Sequence, residues 1–204
     1  MIREAYESVA AVFVDTVAQI SEPLWHQPGL GVWTVLDLVG HTSRALLTVE
    51  TYLAQSAPHA DLARPIDYYL QARMQTQATL AAADAIAARG RQAGEALGAD
   101  PAQAVRDIAT RVLAAVRVAA DNALVGTPLG GMRLIDYLPS RIFELAVHTL
   151  DIAHAVSLAV TLPETAARVT VHLLADAALE SGKVAPLLLA ATGRQPLPDG
   201  YSVL

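Results

Sequence analysis

Apolar positions recur at helical spacing along most of the chain, and turn residues punctuate them. The first periodic stretch predicts a helix from about Ile2 to Ile20. "SEPLWHQPGLGVW" (21–33), with two prolines and two glycines, reads as a loop. A second helix opens at "WTVLDL", where Thr34 is a natural N-cap and Asp37, three residues on, completes a capping box. Its apolar positions are Leu38, Val39, Ala45, Leu46 and Val49, and it should end near Ala57–Pro58. A long third helix follows Pro65, from about Ile66 to Leu97, weakened at its far end by Gly90 and Gly94. Asp100-Pro101 is an N-cap and N1 proline opening a fourth helix to about Asn122. "LVGTPLGGM" (124–132) is turn-rich, and any strand should be confined to about residues 124–135. The fifth helix covers about Asp136–Leu158, with Pro139 tolerated only in its first turn. A sixth runs from Pro163 to near Gly182, followed by a short helix, Val184–Thr192, and an extended tail, "GRQPLPDGYSVL". No internal repeat or interdomain linker interrupts residues 1–204. The expectation is an all-α helical bundle forming one domain.

Composition narrows the classes. The chain is 53% hydrophobic but only 5% aromatic, which favours helix over sheet. The longest apolar stretch, Leu145–Leu162, is broken by His148, Asp151 and His154, so no segment approaches the about 20 residues of a membrane span. No basic segment with a cleavage site opens the chain, so no signal peptide is expected. The absence of cysteine excludes disulfides and thiolate ligands and fits a cytoplasmic setting. A formal net charge of −6 without a basic stripe argues against a nucleic-acid partner.

One stretch resists a purely structural reading. "RIFELAVHTLDIAH" (141–154) lies in the middle of an apolar helix yet carries Arg141, Glu144, His148, Asp151 and His154. Glu144 and His148 are four apart and share a helix face. Arg141 shares it, Asp151 borders it and His154 points elsewhere. Such a row is buried cheaply only if it pairs internally or binds a metal. A hydrogen-bonded Arg–Glu–His–Asp network satisfies the first condition. A divalent cation such as Zn²⁺ satisfies the second, but a carboxylate and an imidazole are too few ligands. His41, about two turns into the second helix, is the candidate third. Asp37, four residues earlier on the same face, reads either as an acceptor for the His41 imidazole or as the capping-box carboxylate. His26 and His59 fall in loops, and His172 is isolated on its helix. Other chemistries fit poorly. Glu-x-x-x-His occurs once, without the second copy of a di-iron bundle. No phosphate-binding glycine loop and no G-x-S-x-G elbow is present.

"GVWTVLDLVGHTSRAL" (31–46) followed by "RIFELAVHTLDIAHAV" (141–156) resembles the mycothiol-dependent maleylpyruvate isomerase family of the DinB/YfiT-like superfamily. The family pattern is W-[ST]-x-x-[DE]-L-x-x-H on an early helix and E-x-x-x-H-x-x-D on a late one. Trp33, Thr34, Asp37, His41, Glu144, His148 and Asp151 match it. "LLLAATGRQPLP" (187–198) is also similar to short members, without the further C-terminal domain of the namesake isomerase. The resemblance implies a DinB-like four-helix bundle with one long crossover and extra C-terminal helices. It implies a divalent metal, Zn²⁺ first among candidates, held by His41, Glu144 and His148. It further implies a low-molecular-weight thiol, mycothiol, as cosubstrate. The expected activity is S-transfer to an electrophilic small molecule, or its thiol-assisted isomerisation. Arg141 is the candidate either for binding an anionic substrate or cofactor group or for a structural pair with Asp37 or another acid. Partners would be the thiol and the electrophile, with no nucleic acid and no membrane; a homodimer is an assembly open to it. Two alternatives remain: a metal-dependent enzyme of this fold that uses no thiol, and a non-catalytic metal- or ligand-binding bundle.

Overall fold

The computed structural model describes residues 1–76 and 80–204. Among them eight α-helices follow in order: α1 (Ile2–Val17), α2 (Val35–Ala54), α3 (Pro65–Thr76), α4 (Leu80–Glu95), α5 (Pro101–Val118), α6 (Leu134–Ala155), α7 (Glu164–Glu180) and α8 (Val184–Ala191). Strands β1 (Leu124–Thr127) and β2 (Gly130–Arg133) form an antiparallel hairpin between α5 and α6, with Leu124 opposite Arg133 and Thr127 opposite Gly130. They fall inside the window expected for a strand. No described helix is long and apolar enough to cross a membrane.

The helix starts follow from local chemistry. Thr34 Oγ1 accepts the Asp37 amide at 3.2 Å, and the Thr34 amide donates to Asp37 Oδ2 at 2.9 Å, so both halves of the capping box exist. Asp100 caps α5 by accepting the Gln103 amide at 3.0 Å, with Pro101 in the first turn. The start of α6 departs from expectation. It begins at Leu134, so Pro139 lies inside the helix instead of in its first turn. The earlier start is supported from outside: the Leu134 and Ile135 amides, orphans of a first turn, donate to the Ala123 and Asp121 carbonyls at 2.8 and 3.1 Å. Four helices end three or four residues earlier than predicted, at Val17, Ala54, Val118 and Ala155. The predicted third helix is found as α3 and α4; its stretch 77–79 lies outside the described residues.

Four helices make the bundle. α1 and α2 each pack against both α5 and α6, and the long crossover from α2 to α5 carries α3 and α4. Fully buried Tyr6, Phe13, Leu38, Leu46, Val105, Val112, Leu138 and Leu145 fill the space between these helices. A second cluster, Ile66, Phe143, Leu173, Ala177, Ala178 and Val203, joins α3, α6, α7 and the C-terminal tail.

α4 lies against α2 at glycines. A Cβ on Gly40 would collide with the backbone of Gly94, and one on Gly94 would lie 2.9 Å from the Leu36 carbonyl oxygen. The glycines thus set how closely the crossover seats on the bundle. Gly40→Ala should gain about 1 kcal/mol in helix propensity. The clash is with backbone and cannot be relieved by a rotamer change, so net destabilisation by about 1–3 kcal/mol is expected in urea unfolding.

Candidate metal centre

His41 projects from the second turn of α2, and Glu144 and His148 from one face of α6. Because α2 and α6 are neighbours in the bundle, the three side chains converge. The His41 and His148 rings meet edge to face with centroids 5.0 Å apart. One ligand atom from each of His41, Glu144 and His148 lies within 4.8 Å of the others. Two imidazoles and a carboxylate at this spacing are a donor set that would suit one divalent cation.

Each member is held in a defined state. Burial, then the nearby charge of His148, lowers the His41 pKa to about 4, so its imidazole is neutral at physiological pH. His41 Nδ1 is buried with no hydrogen-bond partner among the described residues. A buried nitrogen left without a partner is costly in a finished core and calls for an explanation, of which a metal site is one. Burial alone would raise the Glu144 pKa, but the His148 hydrogen bond and the Arg141 charge outweigh it and hold the carboxyl at about 2. Its Oε2 lies 3.3 Å from His148 Nε2. Its Oε1 accepts the Tyr69 hydroxyl at 2.7 Å, with the Ser140 carbonyl 3.0 Å from the same hydroxyl. Burial would lower the His148 pKa, yet hydrogen bonds to Asp151 and Glu144 push it up to about 9.

Asp151 stands behind His148, its Oδ2 3.0 Å from Nδ1. This contact fixes the ring and aims Nε2 at Glu144, the arrangement that metal-bound histidines commonly use. Asp151→Asn is expected to weaken divalent-cation affinity by about 10- to 100-fold without removing any ligand. Zn²⁺ titration against a chelating indicator measures it.

Asp37 is not an acceptor for His41: both of its roles are spent in the capping box of α2, and His41 Nδ1 stays unpartnered. His154 and His172 are exposed, and His59 pairs with Asp61 at 2.9 Å away from the centre. Trp33 has a role beyond its motif. Its indole stacks over His41 with centroids 4.4 Å apart and donates Nε1–H to the Ala87 carbonyl at 3.0 Å. Gly90 makes room for it, since a Cβ there would lie 2.6 Å from the ring. The sequence-level signal for this contact was the unexplained glycine in a helical pattern.

Arg141 is buried, as its position on the row required, but it has no carboxylate in salt-bridge contact among the described residues. Its guanidinium lies over the Tyr68 and Tyr137 rings, 4.9 and 5.0 Å from their centroids, and Nε donates to Ser140 Oγ at 3.1 Å. It lines a cavity of about 320 Å³ together with His41, Glu144, Arg44 and Arg89. Three guanidiniums from three helices therefore face the same space beside the triad. Tyr69, Arg44 and Arg89 were not singled out in the sequence. Tyr69 is 75 residues from Glu144, and no local pattern reports such a contact.

The residues that converge here are those of the two motifs. Residues 6–153 match the family model described as the mycothiol maleylpyruvate isomerase N-terminal domain. The chain belongs to that family. The match spans α2 and nearly all of α6, and so includes His41, Glu144, His148 and Asp151. The all-α, DinB-like fold expected of this family is the fold observed. Comparison with curated proteins and with solved structures gives no match. Residues 154–204, carrying α7, α8 and the tail, lie outside the matched span of the mycothiol maleylpyruvate isomerase domain.

Proposed function

We propose that the protein is a divalent-metal-dependent enzyme that activates a low-molecular-weight thiol, mycothiol by family kinship. The thiol would serve S-transfer to an electrophilic small molecule, or its isomerisation. The observation that carries this reading is the triad of His41, Glu144 and His148, with ligand atoms within 4.8 Å and one imidazole nitrogen orphaned. The donor set, two imidazoles and a carboxylate, suits Zn²⁺ and leaves coordination positions open. A cation at this place favours the thiolate form of a bound thiol, whose free pKa is about 8.5. The chain has no cysteine, so that thiol comes from a cosubstrate.

The chain's own residues supply the remainder. Asp151 and Tyr69 orient His148 and Glu144. Trp33 covers His41 and shields that side from water. Arg141, with Arg44 and Arg89, offers donors to a polar or anionic group of substrate or cofactor. The proposed partners are small molecules only, in a reducing cytoplasm.

The test uses purified protein loaded with Zn²⁺, mycothiol and 1-chloro-2,4-dinitrobenzene, in which the thiol sulfur replaces chloride. Thiol loss that requires both protein and metal, and stops on chelation, supports the reading. Turnover of electrophiles without thiol would replace it with a thiol-free metalloenzyme. Tight metal binding without turnover of any electrophile would replace it with a binding protein.

A further inference from the structure

The triad has a second side. A second cavity, of about 530 Å³ and within the range of small-molecule sites, shares Tyr69 and Glu144 with the arginine-lined one. Glu144 and His148 form part of one wall, and the rest is mostly apolar: Phe143, Val147, Leu174, Leu187 and Leu197. Its outer wall is anchored. The Tyr201 hydroxyl donates to the Lys183 carbonyl at 2.8 Å, the Lys183 ammonium donates to the Ser202 carbonyl, and Val203 is buried in the cluster beneath α7. The tail is therefore a built wall of the cavity.

The two sides differ in what they can solvate. The first presents Arg44, Arg89 and Arg141 and suits a polar cosubstrate. A polar thiol in the second would lose its water-bonded groups against leucine and valine without replacement. An apolar body there gains from burial. We propose that this cavity is the subsite of the electrophile, and that the electrophile carries an apolar alkyl or aryl body whose reacting end meets Glu144 and His148. Leu174, Leu187, Leu197 and Tyr201 lie beyond residue 153, outside the span shared with the family model, so the electrophile's size is selected by the chain's own C-terminal segment. The assignment of the reacting end rests on the metal-dependent reading above; the cavity's preference for apolar ligands does not.

Two probe series separate these. In the first, n-alkanols from butanol to decanol are titrated calorimetrically into metal-free protein. Affinity is expected to rise about three- to four-fold per methylene until the cavity is full. In the second, n-alkyl hydroxamates, whose heads chelate metal, are titrated into Zn²⁺-loaded protein and should show the same chain-length slope. Leu174→Trp and Leu187→Phe fill the cavity and should lower affinity for the octyl members at least ten-fold while sparing the shortest. If Leu174→Trp fails to fold, Leu187→Phe on the partly exposed α8 makes the same test. A flat chain-length profile, or a slope surviving in the filled variants, overturns the proposal. So does a slope abolished by Arg44→Ala alone, which would put the chain in the other cavity. Alkanols binding with their slope while hydroxamates do not bind would overturn the metal reading and leave the apolar ligand class supported.

Discussion

His148→Ala is expected to yield a folded protein that retains no divalent cation and has no metal-dependent activity. Four-ligand structural zinc sites bind with about 10–16 kcal/mol, so losing one ligand should weaken affinity by roughly 10²- to 10³-fold. His41→Ala should lose metal equally, but the two variants should differ in the metal-free state. His148 neutralises Glu144 and Asp151, at 3.3 and 3.0 Å, so its removal leaves a buried carboxylate with less support and costs about 1–3 kcal/mol. His41 offers the metal-free fold an unpartnered nitrogen, and its removal takes away an unsatisfied group along with the packing against Trp33. Metal-free His41→Ala should therefore be the more stable of the two. His154→Ala, six residues further along α6 and exposed, is the control and should change neither property. Elemental analysis after dialysis and urea unfolding measure both effects. Wild-type protein that binds no divalent cation would end the reading.

The parts of this molecule legible in its sequence are those encoded within one helix. The Thr34–Asp37 capping box is a four-residue signal, and it placed the start of α2 correctly. The Glu144–His148–Asp151 spacing is likewise local, and the geometry of one helix turns it into one cluster. The convergence of His41 on that cluster needed the family resemblance, because nothing in either helix states which helices are neighbours. Helix ends were less legible. The first amides of α6 are satisfied by Ala123 and Asp121 across the hairpin, so tertiary hydrogen bonds lengthened the helix past its local stop signals. Gly90 and Gly94 looked like weaknesses under propensity alone. They are sites of close approach to Trp33 and to α2, and no single-helix rule distinguishes the two meanings. The apolar cavity under the tail was least legible, since its wall is assembled from α6, α7, α8 and the segment after Gly193.

Arg141→Met is expected to separate function from stability. A guanidinium buried with no carboxylate in salt-bridge contact loses hydration that two aromatic faces and one serine hydroxyl replace only in part. Its charge is nevertheless felt by Glu144, and removing one member of a buried charge network leaves the other less compensated, so Arg141→Met should cost about 1–3 kcal/mol of stability. If the fork is held ready for an anionic group of substrate or cofactor, Arg141→Met should weaken that interaction by about 2–5 kcal/mol, roughly 30- to several-thousand-fold in affinity. Arg141→Lys keeps the charge but loses the planar fork and the stacking on Tyr68 and Tyr137, so it should fall between the two. The Arg141 charge also helps hold Glu144 ionised, so metal content must be measured beside activity. The expected pattern is an unfolding free energy lowered by no more than about 3 kcal/mol, retained metal, and a large loss in kcat/KM. Unchanged kcat/KM together with a destabilised fold would make Arg141 a structural residue, and the arginine-lined cavity would lose its assignment.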